Sequence, residues 1–278
     1  MLTNIANGEG PTWLRNARLI AIAKQGGGVR PIAIGEVLCR LTATSLNKMF
    51  LEQAESLPNN QLCLLKDGVL LGSYVIARSI EENNHVAALD MSNAFNLLTR
   101  VSLLSSVKGT IVEGYVRWAY SKHSDLLLTG DIRIKLQSGV QQGDPLGMTL
   151  FSIAISTTLK QIQERHLDVK IISYADNIIF VGNPRDIEHA AAEIREKLCI
   201  CGVKLNQQKS IIWPRLTEAQ NNTFELISKF QQSKTVVTIL GVAVSGDISS
   251  ALTDAVSEAG INFVIETTKP QTGRNGNS

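Results

Sequence analysis

Hydrophobic positions along this chain follow two periods, one of strands and one of helices. The runs "RLIAIA" (18–23) and "VRPIAI" (29–34) are short and apolar and flank "KQGGG", which predicts a β-hairpin with a flexible glycine tip. "GEVLCRLTATSLNKMFLEQAE" then sets Val37, Leu38, Leu41, Leu46, Met49 and Phe50 at helical spacing, and residues 69–82 predict a second helix. "HVAALD" reads as a buried strand ending on Asp90. "MSNAFNLLTRVSLLSSV" follows as a loop turning into a helix, and "VEGYVRWAY" as another helix. "DLLLTGDIRIKLQSG" predicts a hairpin around Thr129-Gly130-Asp131. "DPLGMTLFSIAISTTLKQIQER" opens with Asp144 as N-cap and Pro145 at the first helical position, and its length of apolar residues predicts a buried helix.

In "ISYADNIIF" (172–180) two apolar runs flank the polar turn Tyr174-Ala175-Asp176-Asn177, which predicts a tight hairpin with a carboxylate at its tip. "PRDIEHAAAEIREKLCICG" is an amphipathic helix closed by Gly202. "VKLNQQKSIIW" is a strand with a polar bulge, residues 216–230 predict a helix, and "VVTILGVAV" predicts a strand. The last dozen residues, "TTKPQTGRNGNS", are polar and predicted to fray. No internal repeat is present. The pattern predicts an α+β fold, a small antiparallel sheet with helices packed on one face.

Composition narrows the class. The 278 residues are 44% hydrophobic with a mean hydropathy of +0.06, enough for a sizeable core and too apolar for wholesale disorder. The net charge of +2 does not by itself announce a nucleic-acid binder, although residues 1–48 carry six basic residues against two acidic. The four cysteines form no CxxC pair and no histidine completes a zinc site, so buried or free thiols in a reducing compartment are expected. No signal peptide and no run long enough to span a bilayer is visible, and a soluble, intracellular chain is expected.

Asp90 and Asp176 both follow short apolar strands. If those strands are neighbours, two carboxylates converge, and a divalent cation with oxygen ligands is the cheapest relief of their repulsion. On spacing alone the plainer reading is favoured, that each Asp ends a strand or caps a turn, because such aspartates are common. "SGVQQGDPLGMTLFSIAI" sets two glycines around Gln141 and Gln142 before the long helix, a flexible backbone beside amides that suits contact with a base pair. "AKQGGGVRPI" puts Lys24 and Arg30 on either side of a glycine tip, either a triphosphate clamp or a solvated turn.

The ordered set of strings resembles the reverse transcriptase domain of non-LTR (LINE-type) retrotransposons over roughly residues 10–245. It comprises Arg30 in "VRPIAIGEVLCRL", Asp90 in "ALDMSNAFN", Gln142-Gly143 in "GVQQGDPLG", Asp176 in "YADN", Lys209 in "GVKLNQQKS" and the later "ILGVAV". The resemblance implies a right-hand polymerase fold: a fingers portion over 1–85, a palm over 86–245 and a remnant of the thumb over 246–278, with most of the thumb missing. It implies RNA-directed DNA synthesis on a primer 3′-hydroxyl, with RNA template, DNA primer and deoxynucleoside triphosphates as partners and two Mg²⁺ ions, or Mn²⁺ in their place, as cofactor. Asp90 and Asp176 would ligate the metal, with the Met91 carbonyl and Asn177 assisting. Phe95 would be the steric gate under the deoxyribose, although on composition alone it is a core aromatic. Gln142 and Gly143 would touch nucleotide and template, Arg30 and Lys24 would hold the triphosphate, and Lys209 would protonate departing pyrophosphate. Leu240 and Gly241 would centre the primer grip. A nuclear location follows from the resemblance alone.

The chain departs from the family pattern at three places. Asn177 stands where a second aspartate is usual; its carbonyl can ligate a cation but brings no charge, and a rate loss of about 10²-fold is expected. Met148 replaces a usual proline, and "QLCLLKDGVLLGSY" (61–74) matches the family's stretch poorly. With no endonuclease region before the fingers and little thumb, the sequence reads as a fragment or decayed copy of a retroelement. The alternative function is an inactive remnant that binds nucleic acid or has no current role.

Overall fold

The structure, a computed structural model, describes residues 1–23, 28–53, 61–82, 84–129, 132–232, 236–239 and 242–245. A short α1 (Leu2–Ala6) and a 3-10 turn lead into the hairpin β1 (Ala17–Ala23) and β2 (Val29–Gly35), then α2 (Val37–Glu52) and α3 (Gly68–Glu81). The strand β3 (His85–Ser92) is followed by α4 (Ala94–Leu97), α5 (Arg100–Ser106) and α6 (Glu113–Tyr120). A hairpin, β4 (Ser124–Leu127) and β5 (Arg133–Leu136), precedes the long α7 (Gly147–Arg165). Next come β6 (Lys170–Tyr174), β7 (Asn177–Gly182), α8 (Pro184–Ile200), β8 (Lys204–Trp213) and α9 (Glu218–Thr223). The short strands β9 (Gln231–Gln232), β10 (Val236–Ile239) and β11 (Val242–Ser245) close the series.

The central sheet has the order β6-β7-β3-β8-β9. Its four main strands are antiparallel and only the short β9 adds in parallel. Side-chain alternation along β3 sends Ala87, Leu89 and Met91 into the main core under α5, α7 and α8. Val86 and Ala88 face the other way and pack with Ile76 of α3 and with Ile172, Ile179 and Trp213. The expectation of helices on one face is therefore corrected. β7 is buried at every residue from Ile178 to Gly182, so both faces need cover, and an unbroken apolar run is the sequence sign of that.

A second sheet, β2-β1-β4-β5, joins the first hairpin to residues a hundred positions later through the parallel pairing of β1 with β4. Two other expectations change. The predicted helix over 216–230 breaks into α9 and a 3-10 turn at Ile227–Lys229. The cause is Glu188 of α8, whose carboxylate accepts hydrogen bonds from the amides of Glu225, Leu226 and Ile227, at 2.8–3.0 Å, in place of helical carbonyls. The long helix starts at Gly147, after Leu146, because Asp144 spends its carboxylate on the Leu146 amide and on Tyr120. No helix among the described residues is long and apolar enough to cross a membrane.

Candidate active site

The tip of the β6–β7 hairpin is a two-residue turn, with Tyr174 paired to Asn177. Ala175 adopts a φ of 54°, a region that a β-carbon makes unfavourable, and it is buried. Such local strain is tolerated where the surroundings over-determine the backbone, which occurs most often at functional turns. The neighbouring strand β3 runs antiparallel, and its last registered pair with β7 is Leu89 with Ile178. One step further along, Asp90 reaches the turn that carries Asp176. Two carboxylates 86 positions apart in sequence thus come to one place because two apolar strands pair.

Their electrostatics agree. Burial pushes the Asp176 carboxyl above the usual carboxylate range, and the negative charge of Asp90 adds to the push. Its own backbone amide and the Arg30 guanidinium pull the other way.

On the other side of β3, the pairing with β8 slips. Ala88 faces Ile211, but Asp90 faces Asn206, so residues 207–210 bulge out. The polar bulge expected in "LNQQKS" is there. It is closed by the Ser210 hydroxyl, which donates to the Asn206 carbonyl at 2.8 Å, and by the Lys209 amide, which donates to Asn206 Oδ1 at 3.3 Å. The Ser210 hydroxyl also accepts from the Asp90 amide at 3.1 Å, which ties the bulge to the carboxylate strand.

The loop before α7 is stitched on two sides. Gly139 and Val140 amides donate to the carbonyls of Leu98 and Phe95, and the Ala33 amide of β2 donates to Gln142 O at 2.7 Å. At Gly143, φ is +129° and a β-carbon would lie 2.4 Å from Ala33 O, so only glycine permits this crossing of loop and strand. The crossing brings β2 and its Arg30 over the carboxylates.

The result is an open cavity of about 600 Å³. Arg30, Asp90, Met91, Phe95, Gln142, Gly143, Asp176 and Lys209 all line it. Of the remaining sequence-predicted residues, Asn177 is exposed and lies outside the lining. Lys24, Leu240 and Gly241 lie outside the described residues. The Phe95 ring stacks on Phe151 with centroids 4.6 Å apart, and the residue also lines the cavity. Sequence reasoning missed Asn93, which lines the cavity with a φ of 46°, as well as Asn96 and Asn206. The available signal was local: a polar residue next to each motif carboxylate or lysine.

The arrangement is that of a family. The model for reverse transcriptase (RNA-dependent DNA polymerase) matches residues 22–244. This chain belongs to that family. The Pol polyprotein of the type-1 retrotransposable element R2 from Bradysia coprophila is 23% identical in an alignment that covers 73% of this chain and 26% of that protein. The SLACS 132 kDa protein of Trypanosoma brucei gambiense is 24% identical, over 71% of this chain and 17% of its own length. The reverse transcriptase domain therefore spans about a quarter or less of these two relatives. Among solved structures, apo telomerase from Candida tropicalis shares the fold, with a TM-score of 0.59 at 13% identity over 86% of this chain and 48% of that one. The expected right-hand polymerase fold, an α+β chain with a small sheet backed by helices, is what the domain adopts, and the LINE-type kinship read from its motifs agrees with the R2 similarity.

Whether the cavity suits divalent metal can be tested on its donors. Two half-buried carboxylates repel one another there, and a cation would relieve both the repulsion and the desolvation that raises Asp176. Among the described residues, no group of three or more His, Cys, Asp or Glu side chains is placed to hold a metal. The donors present are two carboxylates, oxygen ligands of the kind that hard divalent cations take.

Proposed function

We propose that this chain is an RNA-directed DNA polymerase that joins deoxynucleotides to a primer 3′-hydroxyl on an RNA template. The observation that carries the reading is the convergence of Asp90 and Asp176 in one open cavity with Arg30 and Lys209. Residues 1–85 are assigned to the fingers and 86–245 to the palm, with β4 of the second stretch pairing with β1 of the first.

Two Mg²⁺ ions, or Mn²⁺ in their place, would supply the positive charge that favours the attacking hydroxylate and steadies the leaving pyrophosphate. Asp90, Asp176 and the Met91 carbonyl would hold them, and the Asn177 side-chain carbonyl would have to turn in from its exposed position to join. Arg30, with Lys24, binds the triphosphate from the strand side. Lys209, which lines the cavity, donates a proton to pyrophosphate as it leaves. Phe95, braced by Phe151, fills the space where a 2′-hydroxyl would sit. Gln142 and Gly143 position base and sugar, and Leu240 and Gly241 grip the primer end. The site of action is intracellular, and nuclear by kinship.

A second reading, a remnant that binds nucleic acid without extending a primer, is favoured by Asn177, which supplies no charge beside Asp176. Primer extension on an RNA template separates the two. The proposed activity predicts weak extension in Mg²⁺, stronger in Mn²⁺ and about 10²-fold stronger in Asn177→Asp, with none in Asp90→Ala. Silence from the chain and from Asn177→Asp alike, with salt-sensitive RNA–DNA binding retained, would establish the remnant.

A further inference from the structure

Behind the active-site cavity lies a second, small one of about 20 Å³, room for roughly one water. Gln141, Gly143 and Asp144 line both cavities, so the loop that would present Gln142 to a nucleotide is a thin wall between them. A wall with space behind it holds its position only if something braces it. Tyr120, at the end of α6, stands on the far side. Its hydroxyl donates to Asp144 Oδ2 at 2.5 Å and accepts a longer hydrogen bond, 3.4 Å, from the Gln141 amide. Tyr120 is itself fixed. It is buried, and the Arg100 guanidinium lies over its ring, 4.8 Å from the centroid, and donates to its carbonyl at 2.6 Å. The other side of the loop is held by the Gln141 side-chain amide, which donates to Arg15 O and to Ser124 Oγ.

We propose that Tyr120 and Asp144 form a strut that positions the Gln141–Gly143 loop for the incoming deoxynucleoside triphosphate. Neither residue lines up with the reacting atoms; both act through the loop, and Tyr120 touches only the rear cavity. The proposal rests on the polymerase reading for its ligand but not for its mechanics. A phenol hydroxyl holding a buried carboxylate is stiff because each group satisfies the other in a low-dielectric place, and removing one leaves the second unpaired.

The test compares the chain with Tyr120→Phe and with Asp144→Asn, the latter retaining an oxygen for the Leu146 amide and a side chain for Tyr120. Two readouts are taken. The first is amide hydrogen exchange at Ala33 and Asp144, whose bonds to Gln142 O and Gln141 O do not involve the deleted hydroxyl. The second is affinity for the next complementary deoxynucleoside triphosphate on a dideoxy-terminated primer bound to RNA. The strut predicts exchange at Ala33 and Asp144 about tenfold faster in Tyr120→Phe, with core amides such as Leu89 and Phe180 unchanged. Triphosphate affinity drops about tenfold, duplex affinity stays the same, and Asp144→Asn lies in between. Unchanged exchange at Ala33 and Asp144 in both variants overturns the proposal, as does a uniform rise across core amides, which would mark a merely structural pair. If Tyr120→Phe does not fold, Asp144→Asn decides by the same criteria. If the unaltered chain binds no triphosphate, the polymerase reading fails, and exchange alone still decides the strut.

Discussion

Asp176 is held at a cost to the fold, and that cost is measurable. Burial and the Asp90 charge raise its carboxyl above the ordinary value, so the folded state binds the proton more tightly than the unfolded state does. Below the ordinary carboxylate range both states are protonated and there is no penalty. As pH rises through that range the unfolded chain ionises first, and stability falls until the folded carboxyl has ionised too. Above the raised folded value the full penalty is present. Asp176→Asn removes it, and thermal unfolding without divalent ions is predicted to move to higher temperature. At acidic pH the gain vanishes. Added Mg²⁺ is predicted to stabilise the unaltered chain and not the variant; a variant less stable at pH 7 would show the carboxylate to be a structural asset. At this scale much was legible. Both carboxylates, Arg30 and Lys209 are named by the order of the family's motifs, since residue type and spacing alone leave each a plainer role. Asn177 was read as a ligand, yet it is exposed and outside the cavity lining, which no count of residues from Asp176 reveals. Tyr120 was invisible because its role comes from Asp144, on the far side of a hairpin.

Among the elements, the strand pairing was readable and the irregular segments were not. The apolar runs of β3, β6 and β7 leave few other structures to adopt. The polar interruption of β8 was also visible, although not the way Ser210 closes it against Asp90, 120 positions away. The segment after α9 was misread because its helical spacing is outbid by one distant carboxylate. Glu188 takes three backbone amides, two of them at 2.8 Å, and so docks residues 225–227 onto α8. Glu188→Ala leaves those amides unpaired. A loss of about 2–3 kcal/mol is predicted, read as a lower denaturant midpoint with an unchanged slope. A change below 0.5 kcal/mol would mean that water replaces the carboxylate freely. The α3 cover of the second sheet face was likewise missed, although the continuous apolar letters of "NIIFVG" demand it.

For the whole molecule, what the sequence withheld is the long-range closure. The parallel pairing of β1 with β4 and the threading of Gly143 past Ala33 join segments separated by about a hundred residues, and no local pattern encodes either. Yet this closure sets the cavity, because it alone brings Arg30 to the carboxylates. The reverse transcriptase family fixes the fold, while the proposed chemistry rests on the pair at the centre. The most direct measurement is a Mn²⁺ titration followed by electron paramagnetic resonance, with a deoxynucleoside triphosphate and a dideoxy-terminated primer on RNA present. The account predicts protein-dependent Mn²⁺ binding that weakens at least tenfold in Asp90→Ala and in Asp176→Ala alike, a change of about 1.4 kcal/mol. Binding that is unchanged in both variants would contradict it, since Asp90 and Asp176 would then share a cavity without sharing a metal.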